Sequence, residues 1–180
     1  MKIIGITGQA SSGKDTVAEY LEKKHLFKHI SLSDLIRDYI SEHNLGESTR
    51  PKMKEVGDNL RQTMGPDALA RIALAKNTDD NLVISAVRHP EEALTIKKHG
   101  GEIWSVVSKL ETRYDRTLQR NRTGDQLSYA EFLEQEQKEQ QNKTEYELNL
   151  AKTIGLADRT IHNDGTLEDL YQTINTILKE

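Results

Sequence analysis

Eight consecutive residues near the start of the chain have the types and spacing of a loop that binds phosphate. They read Gly8-Gln9-Ala10-Ser11-Ser12-Gly13-Lys14-Asp15, and Thr16 follows. The two glycines permit backbone angles that turn successive N–H groups towards one anion, and the lysine adds a positive charge. The spacing is that of the G-x-x-x-x-G-K-[ST] motif up to its last position, where Asp15 replaces a hydroxyl residue. We therefore predict that residues 8–16 bind the phosphates of a nucleotide.

The segments around this loop are the ones that such a motif requires. The apolar run Ile3-Ile4-Gly5-Ile6 precedes it and predicts a strand. A helix from about Gly13 to Lys24 follows, and its first turn directs the positive end of the helix dipole at the loop. The alternative is an ordinary glycine turn with a solvated lysine. The order strand, loop, helix favours the phosphate loop.

The rest of the chain alternates short apolar runs with helical patterns. The runs predict strands at residues 2–7, 27–31, 81–87, 102–107 and 157–162. We predict one α/β domain over residues 1–180, a three-layer fold with a five-stranded parallel sheet and helices on both faces. Residues 32–76 are expected to form a helical flap over the acceptor, and residues 112–150 a lid and arm. Within the arm, one polar helix is expected over residues 128–150, exposed where Glu, Gln and Lys dominate at 134–143.

Several arginines fall where a parallel sheet places its ligands, beyond the carboxyl ends of the strands. Arg37 lies on the helix after the second strand, and Arg88 follows the third strand directly. The helix after the fourth strand is also rich in arginine. Phosphoryl transfer depends on positioning and charge stabilisation, so separate arginines for the acceptor and for the transferring group suit a small-molecule kinase.

Each of these residues is assigned a role as a prediction. Asp34, ahead of Arg37, is predicted to orient or deprotonate an acceptor hydroxyl. The residues predicted to bind the acceptor are Asp34, Arg37, Arg61, Arg88 and Arg122, and those predicted to act in the transfer are Lys14, Asp34, Arg88, Arg116 and Arg120, with Arg120 also touching the nucleotide. The alternative for Arg37 and Arg61 is an ion pair with an acidic residue on the same helix. For Arg113, Arg116 and Arg120, which share one helix, the alternative to a functional role is an ordinary solvated basic face.

Composition excludes several classes of protein. The net charge of −4 argues against a general nucleic-acid-binding surface. The chain has no cysteine, which excludes disulfides and Cys-based zinc sites and fits a reducing cytoplasm. The first apolar run is interrupted at Gly8, as expected of a strand and not of a signal sequence, and no run reaches membrane length. We expect a cytoplasmic protein with no nucleic acid or membrane as partner, and the oligomeric state stays open.

Once these residues are considered together, the chain resembles the nucleotide and nucleoside kinases of the P-loop superfamily. Residues 30–37 are similar to the adenylate kinase segment that ends in the arginine gripping the acceptor monophosphate, and residues 87–88 to the arginine-bearing strand end of the same enzymes. Residues 116–122 resemble their lid entrance. Residues 157–170 look like the last strand and loop of dephospho-CoA kinase, which border the adenine of ATP, so the resemblance implies a nucleotide contact for Asn163.

The resemblance implies ATP and Mg²⁺ as cofactors, and a nucleoside monophosphate or a dephospho-CoA-like nucleotide as the acceptor. One departure concerns the metal. Adenylate kinases have an acidic residue shortly before the strand-three arginine, whereas Ser85-Ala86-Val87 stand there in this chain. Asp15 is therefore the predicted protein contact of Mg²⁺. The same departure leaves open a nucleotide-binding regulatory or interaction protein that transfers nothing, and, more weakly, an ATPase acting on nucleic acid.

Overall fold

Strands and helices alternate along the computed structural model, which describes residues 1–77, 80–120, 127–140 and 146–180, without the side chains of residues 135 and 138–140. The strands are β1 (Ile3–Gly8), β2 (Lys28–Ser31), β3 (Leu82–Ser85), β4 (Glu102–Val107) and β5 (Arg159–His162). The helices are α1 (Lys14–His25), α2 (Leu32–Glu42), α3 (Arg50–Met64), α4 (Ala68–Ala75), α5 (Pro90–Lys98), α6 (Leu110–Arg120), α7 (Tyr129–Gln140), α8 (Leu150–Gly155) and α9 (Leu167–Lys179).

The five strands form one parallel sheet in the order β2-β3-β1-β4-β5, which confirms the predicted fold class. The first strand is therefore central: Ile4 pairs with Val83 of β3, and Ile6 pairs with Trp104 of β4. The successive strands β3 and β4 lie on opposite sides of β1. At such a switch in strand order a crevice opens beyond the carboxyl end of the sheet, where ligands bind.

Both faces of the sheet are covered by helices, because the residues of β1 alternate between two apolar clusters. Ile4 and Ile6 pack with Val17 of α1 and Ile174 of α9. Ile3 points the other way and belongs to a cluster that includes Ile96 of α5 and residues of α2, α3 and α4. Burying each such side chain contributes about 1.5–3 kcal/mol to folding. The central strand is thus held between two layers of helices.

Side-chain caps decide where several helices begin. The Ser31 hydroxyl accepts the Asp34 N–H at 3.3 Å, so α2 begins at Leu32. The Thr49 hydroxyl accepts the Lys52 N–H at 3.4 Å, so α3 begins at Arg50. Each cap supplies an acceptor to an N–H group that has no partner within the helix.

The third strand is shorter than predicted, because it ends at Ser85 and not at Val87. Ala86 adopts a left-handed conformation, with φ of 60°. The chain then bends, and the Val87 N–H donates to the carbonyl oxygen of Ile6 at 3.1 Å. A left-handed alanine is strained, and such strain concentrates at functional sites.

The single polar helix predicted over residues 128–150 was wrong in its extent. Helix α7 covers Tyr129–Gln140, and α8 begins at Leu150, where Asn149 accepts the Lys152 N–H at 3.1 Å. The predicted exposure of residues 134–143 was wrong at Glu136, which is buried because its carboxylate pairs with Arg113 of α6 at 2.6 Å. Residues 141–145 and the predicted turn at residues 123–126 lie outside the described residues.

None of the helices in the described ranges combines the length and the apolar character needed to cross a lipid bilayer.

Candidate active site

The loop between β1 and α1 has the conformation that the glycine spacing predicts. Gly8 and Gly13 adopt φ values of 149° and 96°, and Ser11 between them is left-handed at 57°. A Cβ atom on Gly8 would lie 2.4 Å from the carbonyl oxygen of Val106, a backbone atom that cannot move aside. Glycine is therefore required at position 8 both for its backbone angle and for the space it leaves.

Lys14 begins α1, and its side chain is 7% exposed. The ammonium group donates to the carbonyl oxygen of Gln9 at 3.2 Å, so the side chain folds back over the loop. An anion held by the loop amides would lie within its reach. Together with the positive end of the α1 dipole, this arrangement suits a polyphosphate.

Asn163, in the turn after β5, is tied to the phosphate loop. Its side-chain nitrogen donates to the Ser12 carbonyl oxygen at 2.8 Å, and its own carbonyl oxygen accepts from Arg116 Nη1 at 2.9 Å. The side chain is 6% exposed. Asn163 thus contacts the backbone of the loop, and Arg116 contacts Asn163. The nucleotide contact predicted for Asn163 and the role in transfer predicted for Arg116 stay predictions.

Helix α6 also contacts the phosphate loop. The Ser11 and Thr117 hydroxyl oxygens lie 2.7 Å apart, and Arg113 Nη1 donates to the Ala10 carbonyl oxygen at 3.4 Å. Arg113 is held from the other side by Glu136, and its guanidinium lies 5.7 Å from the centre of the Phe132 ring. Thr117 was missed by sequence reasoning, since nothing local in the sequence marks a helical threonine as a loop contact.

Arg120 ends α6 and is half-buried, whereas Arg122 lies outside the described residues. The grip on a transferring phosphate that we predict for Arg116, Arg120 or Arg122 stays a prediction.

One carboxylate beside the loop, that of Asp15, is suited to contact Mg²⁺. Asp15 is exposed in the first turn of α1. Within the described ranges, no group of three or more His, Asp or Glu side chains is placed to hold a metal. Mg²⁺ commonly keeps several waters and binds through one or two carboxylates together with substrate phosphates, and Asp15 suits that mode.

Ser85 ends β3 in the stretch where adenylate kinases have an acidic residue and this chain has none. Its buried hydroxyl oxygen lies 2.8 Å from Nε2 of His29, a residue of the neighbouring strand β2. Sequence reasoning missed this contact because the two residues are 56 positions apart.

Arg37 and Asp34 form an ion pair on α2, which is the same-helix alternative considered from the sequence. Both side chains remain accessible, with 45% and 60% of their surface exposed. The pair costs little to separate, because ion pairs at the surface contribute at most about 1 kcal/mol. Both side chains are thus accessible to an acceptor, as their predicted role in binding it requires.

Arg61 lies inside the protein. Its Nε and Nη2 atoms donate to Oε1 of Glu92 at 3.0 and 2.8 Å, and its Nη1 lies 3.7 Å from Asp58. Asp58 is an acidic partner on the same helix, which is the alternative considered from the sequence, but Glu92 lies 31 residues away and was missed. The substrate contact predicted for Arg61 gains no support from this position, since its guanidinium is 4% exposed and engaged by carboxylates.

Arg88 stands at the carboxyl edge of the sheet, as predicted from its place after β3. Its backbone N–H donates to Oε2 of Glu92 at 3.1 Å, and its carbonyl oxygen accepts from the Asn149 N–H at 3.1 Å. The chain around it is therefore held on both sides, while its side chain is half-buried.

A cavity of about 630 Å³ lies against the outer part of the flap. It is lined by residues of both charge signs as well as aromatic ones, among them Tyr39, Lys52, Glu55, Asp58, Tyr146 and Glu147. Lys54 bridges two of its walls, at 2.7 Å from Asp58 and 3.4 Å from Glu147. The hydrogen bond to Asp58 raises the pKa of Lys54 above its ordinary value. The segment that leads into α8 is thereby joined to α3.

Comparisons with known proteins extend this description. A family model described as an AAA domain matches residues 4–151. A UPF0200 protein from Sulfurisphaera tokodaii is 31% identical over 182 residues, which cover 99% of this chain and 97% of the relative. Among solved structures, TT1252 from Thermus thermophilus aligns with a TM-score of 0.64 and 22% identity, over 99% of this chain and 96% of that one.

A shikimate kinase from Bacteroides thetaiotaomicron aligns with a TM-score of 0.65 over 99% of both chains, at 13% identity. At these low identities, the solved structures show the fold alone. They confirm the fold that the resemblance to P-loop kinases implied.

Proposed function

The protein belongs to the AAA domain family and to the UPF0200 proteins, and we propose that it is an ATP-dependent phosphotransferase acting on a small metabolite. The observation that carries the proposal is the position of Lys14, whose ammonium lies over a loop in which glycine is sterically required at both ends. Such a loop binds the phosphates of a nucleotide. Arg88 at the same edge of the sheet supplies a second cationic group.

In this proposal the loop amides hold the polyphosphate, and Lys14 neutralises the β- and γ-phosphates. Asp15 contacts Mg²⁺ directly or through water, and the metal neutralises charge on the phosphates. Arg116, Arg120 or Arg122 closes over the γ-phosphoryl group and excludes water, so that transfer outcompetes hydrolysis. Asn163 lies at the edge of the nucleotide site.

The proposed acceptor is a nucleoside monophosphate or a dephospho-CoA-like nucleotide. Arg37 and Arg88 would hold its phosphate, because bidentate guanidinium groups suit phosphate oxygens. For a hydroxyl acceptor, Asp34 would orient or deprotonate the hydroxyl group. We further propose one domain with a flap at residues 32–76 and a lid and arm at 112–150, acting in the cytoplasm without nucleic acid or membrane.

The test is an acceptor screen. The protein is incubated with Mg²⁺, ATP labelled at the γ-phosphate and a panel of nucleoside monophosphates together with dephospho-CoA, and label in each acceptor is measured. We expect label in at least one acceptor, and its loss in Lys14→Ala. The matched control is Lys23→Ala, which removes an exposed lysine from the same helix. Normal transfer by Lys14→Ala would refute the proposal.

A second candidate is a nucleotide-binding protein of the same fold that transfers nothing. The observation that favours it is the contact between Ser85 and His29, a hydroxyl–imidazole pair at the strand end where adenylate kinases have an acidic residue nearby. The same screen separates the two candidates. Tight ATP binding, measured by calorimetry, with no label in any acceptor would favour the second.

A further inference from the structure

We propose that Glu92 is the positioning residue for Arg88, and that Arg61 holds Glu92 in place from the flap. The inference rests on the proposed role of Arg88 in holding the acceptor. It gives a role to two buried charged residues that the proposed chemistry does not use directly.

The carboxylate of Glu92 is fully buried and divides its two oxygens between two tasks. Oε2 accepts the backbone N–H groups of Arg88 and His89, each at 3.1 Å. Oε1 accepts Nε and Nη2 of Arg61 at 3.0 and 2.8 Å. A buried carboxylate is tolerated only when it is paired and hydrogen-bonded, and these four donors meet that need.

The backbone at Arg88 needs such support because the sheet no longer provides it. The ladder of β3 ends at Ser85, and the left-handed Ala86 turns the chain away from its neighbour. Val87 makes one further bond to Ile6, and Arg88 is the first residue beyond it. Glu92 then fixes the Arg88 N–H, so it sets the point from which the guanidinium extends. A shift of about 1 Å in a positioning group can lower a rate by about 10²-fold.

Arg61 connects this arrangement to the flap. It lies on α3, and its Nη1 would be 3.1 Å from a Cβ atom on Gly57, so the guanidinium packs closely against the helix that carries it. The planar guanidinium meets one oxygen of Glu92 through two N–H groups, which an ammonium group on a flexible stem does not reproduce. A movement of α3 would therefore be transmitted to Glu92, and through it to the backbone of Arg88.

The experiment compares Glu92→Gln, Arg61→Lys and Arg61→Met with the unaltered protein. The control is Glu91→Gln, the same substitution at an exposed neighbour in the first turn of α5. Two quantities are measured: the hydrogen exchange rates of the Arg88 and His89 amides without ligand, and the KM values for ATP and for the monophosphate acceptor found in the screen.

For Glu92→Gln we expect at least tenfold faster exchange at Arg88 and His89 and at least a tenfold higher KM for the acceptor, with the KM for ATP within twofold. Arg61→Met should show the same split. Arg61→Lys should change the exchange rates and the acceptor KM less than Arg61→Met does. Glu91→Gln should behave as the unaltered protein. A general structural defect would instead raise both KM values and speed exchange throughout the sheet.

Two results overturn the inference. If transfer is observed but Glu92→Gln leaves exchange at Arg88 and the acceptor KM unchanged, Glu92 does not position Arg88, while the proposed function stands. If the unaltered protein labels no acceptor, the proposed function fails and this inference fails with it.

Discussion

The side-chain nitrogen of Asn163 lies where a β-carbon on residue 13 would have to be, since a Cβ built on Gly13 would lie only 2.1 Å from it. The same nitrogen donates to the Ser12 carbonyl oxygen at 2.8 Å. The turn after the last strand therefore limits the size of the residue that precedes Lys14. Position 13 carries two constraints, a left-handed backbone and a lack of space.

These two constraints can be separated with alanine substitutions. Gly13→Ala should weaken ATP binding at least 100-fold, because relieving the contact moves either the loop or Asn163. Gly46→Ala is the control, since Gly46 has the same φ of 96° but no atom within 4 Å of a built Cβ. It should cost about 1–2 kcal/mol of stability through backbone strain and leave ATP binding unchanged. Calorimetric titration with ATP and denaturant unfolding measure the two effects.

The double variant Gly13→Ala/Asn163→Ala removes the side chain that a Cβ at residue 13 would meet. It should recover at least tenfold of the lost ATP affinity. Equal affinity for Gly13→Ala and the unaltered protein would show that the loop adjusts freely, contrary to this expectation.

The carboxylate at position 15 should affect the metal requirement. Asp15→Ser should preserve phosphoryl transfer, because a hydroxyl group is the usual residue of the motif at this position. Asp15→Ala should raise the Mg²⁺ concentration needed for half-maximal transfer several-fold. Glu19→Ala, one turn further along α1, is the control for loss of an exposed carboxylate. An unchanged Mg²⁺ titration for Asp15→Ala would mean that the metal does not depend on this residue.

The ion pair of Asp34 and Arg37 offers a way to identify the acceptor group. If the acceptor is a phosphate, Asp34→Asn should leave turnover nearly intact and Arg37→Ala should abolish saturation with acceptor, since only the guanidinium contacts the phosphate. If the acceptor is a hydroxyl group, Asp34→Asn should cause the larger loss, by about 10²-fold or more. Steady-state kinetics with varied acceptor decide, and equal small effects of both variants would exclude the pair from the acceptor site.

Asp158 should make the stability of the protein depend on pH in acid. Burial raises the pKa of this carboxyl, but hydrogen bonds from the Ile103 N–H and from Lys97 outweigh burial and hold the pKa below the ordinary value of 3.8. A folded-state pKa below the unfolded one means that the carboxylate stabilises the fold above about pH 4, and that this contribution is lost as the pH falls further.

Asp158→Asn should therefore lower the free energy of unfolding by about 1 kcal/mol at pH 7, and the difference from the unaltered protein should shrink between pH 5 and pH 2. Urea unfolding across this range measures it, with Asp38→Asn on the exposed face of α2 as the control. A difference that stays constant down to pH 2 would show that the charge of Asp158 contributes nothing.

Local patterns were enough to predict the sheet and the glycine-rich loop between β1 and α1. The loop follows from glycine and lysine spacing within eight residues, and the order of strands and helices follows from short apolar runs. The end of β3 could not be predicted from the sequence, because Ala86 and Val87 are apolar and nothing in the sequence marks a left-handed alanine. A glycine there would have signalled the bend.

The buried ion pairs were beyond sequence reasoning for a different reason. Arg61 has acidic neighbours on its own helix, yet its carboxylate partner lies on α5, and only the packing of α3 against the core brings the two together. Glu136 sits in a run of polar residues that reads as solvated, and a single arginine on α6 makes it part of the interior. Such pairs depend on tertiary distance, which residue spacing does not encode.

The central position of β1 next to β4 gives the protein an internal optical reporter. Trp104, the only tryptophan in the chain, pairs with Ile6 of the strand that leads into the phosphate loop, and it is fully buried. Its fluorescence should be blue-shifted in the folded state and shift to longer wavelength on unfolding. Because the emission comes from one site at the middle of the sheet, it follows the loss of the sheet itself and can be read for every variant without a label.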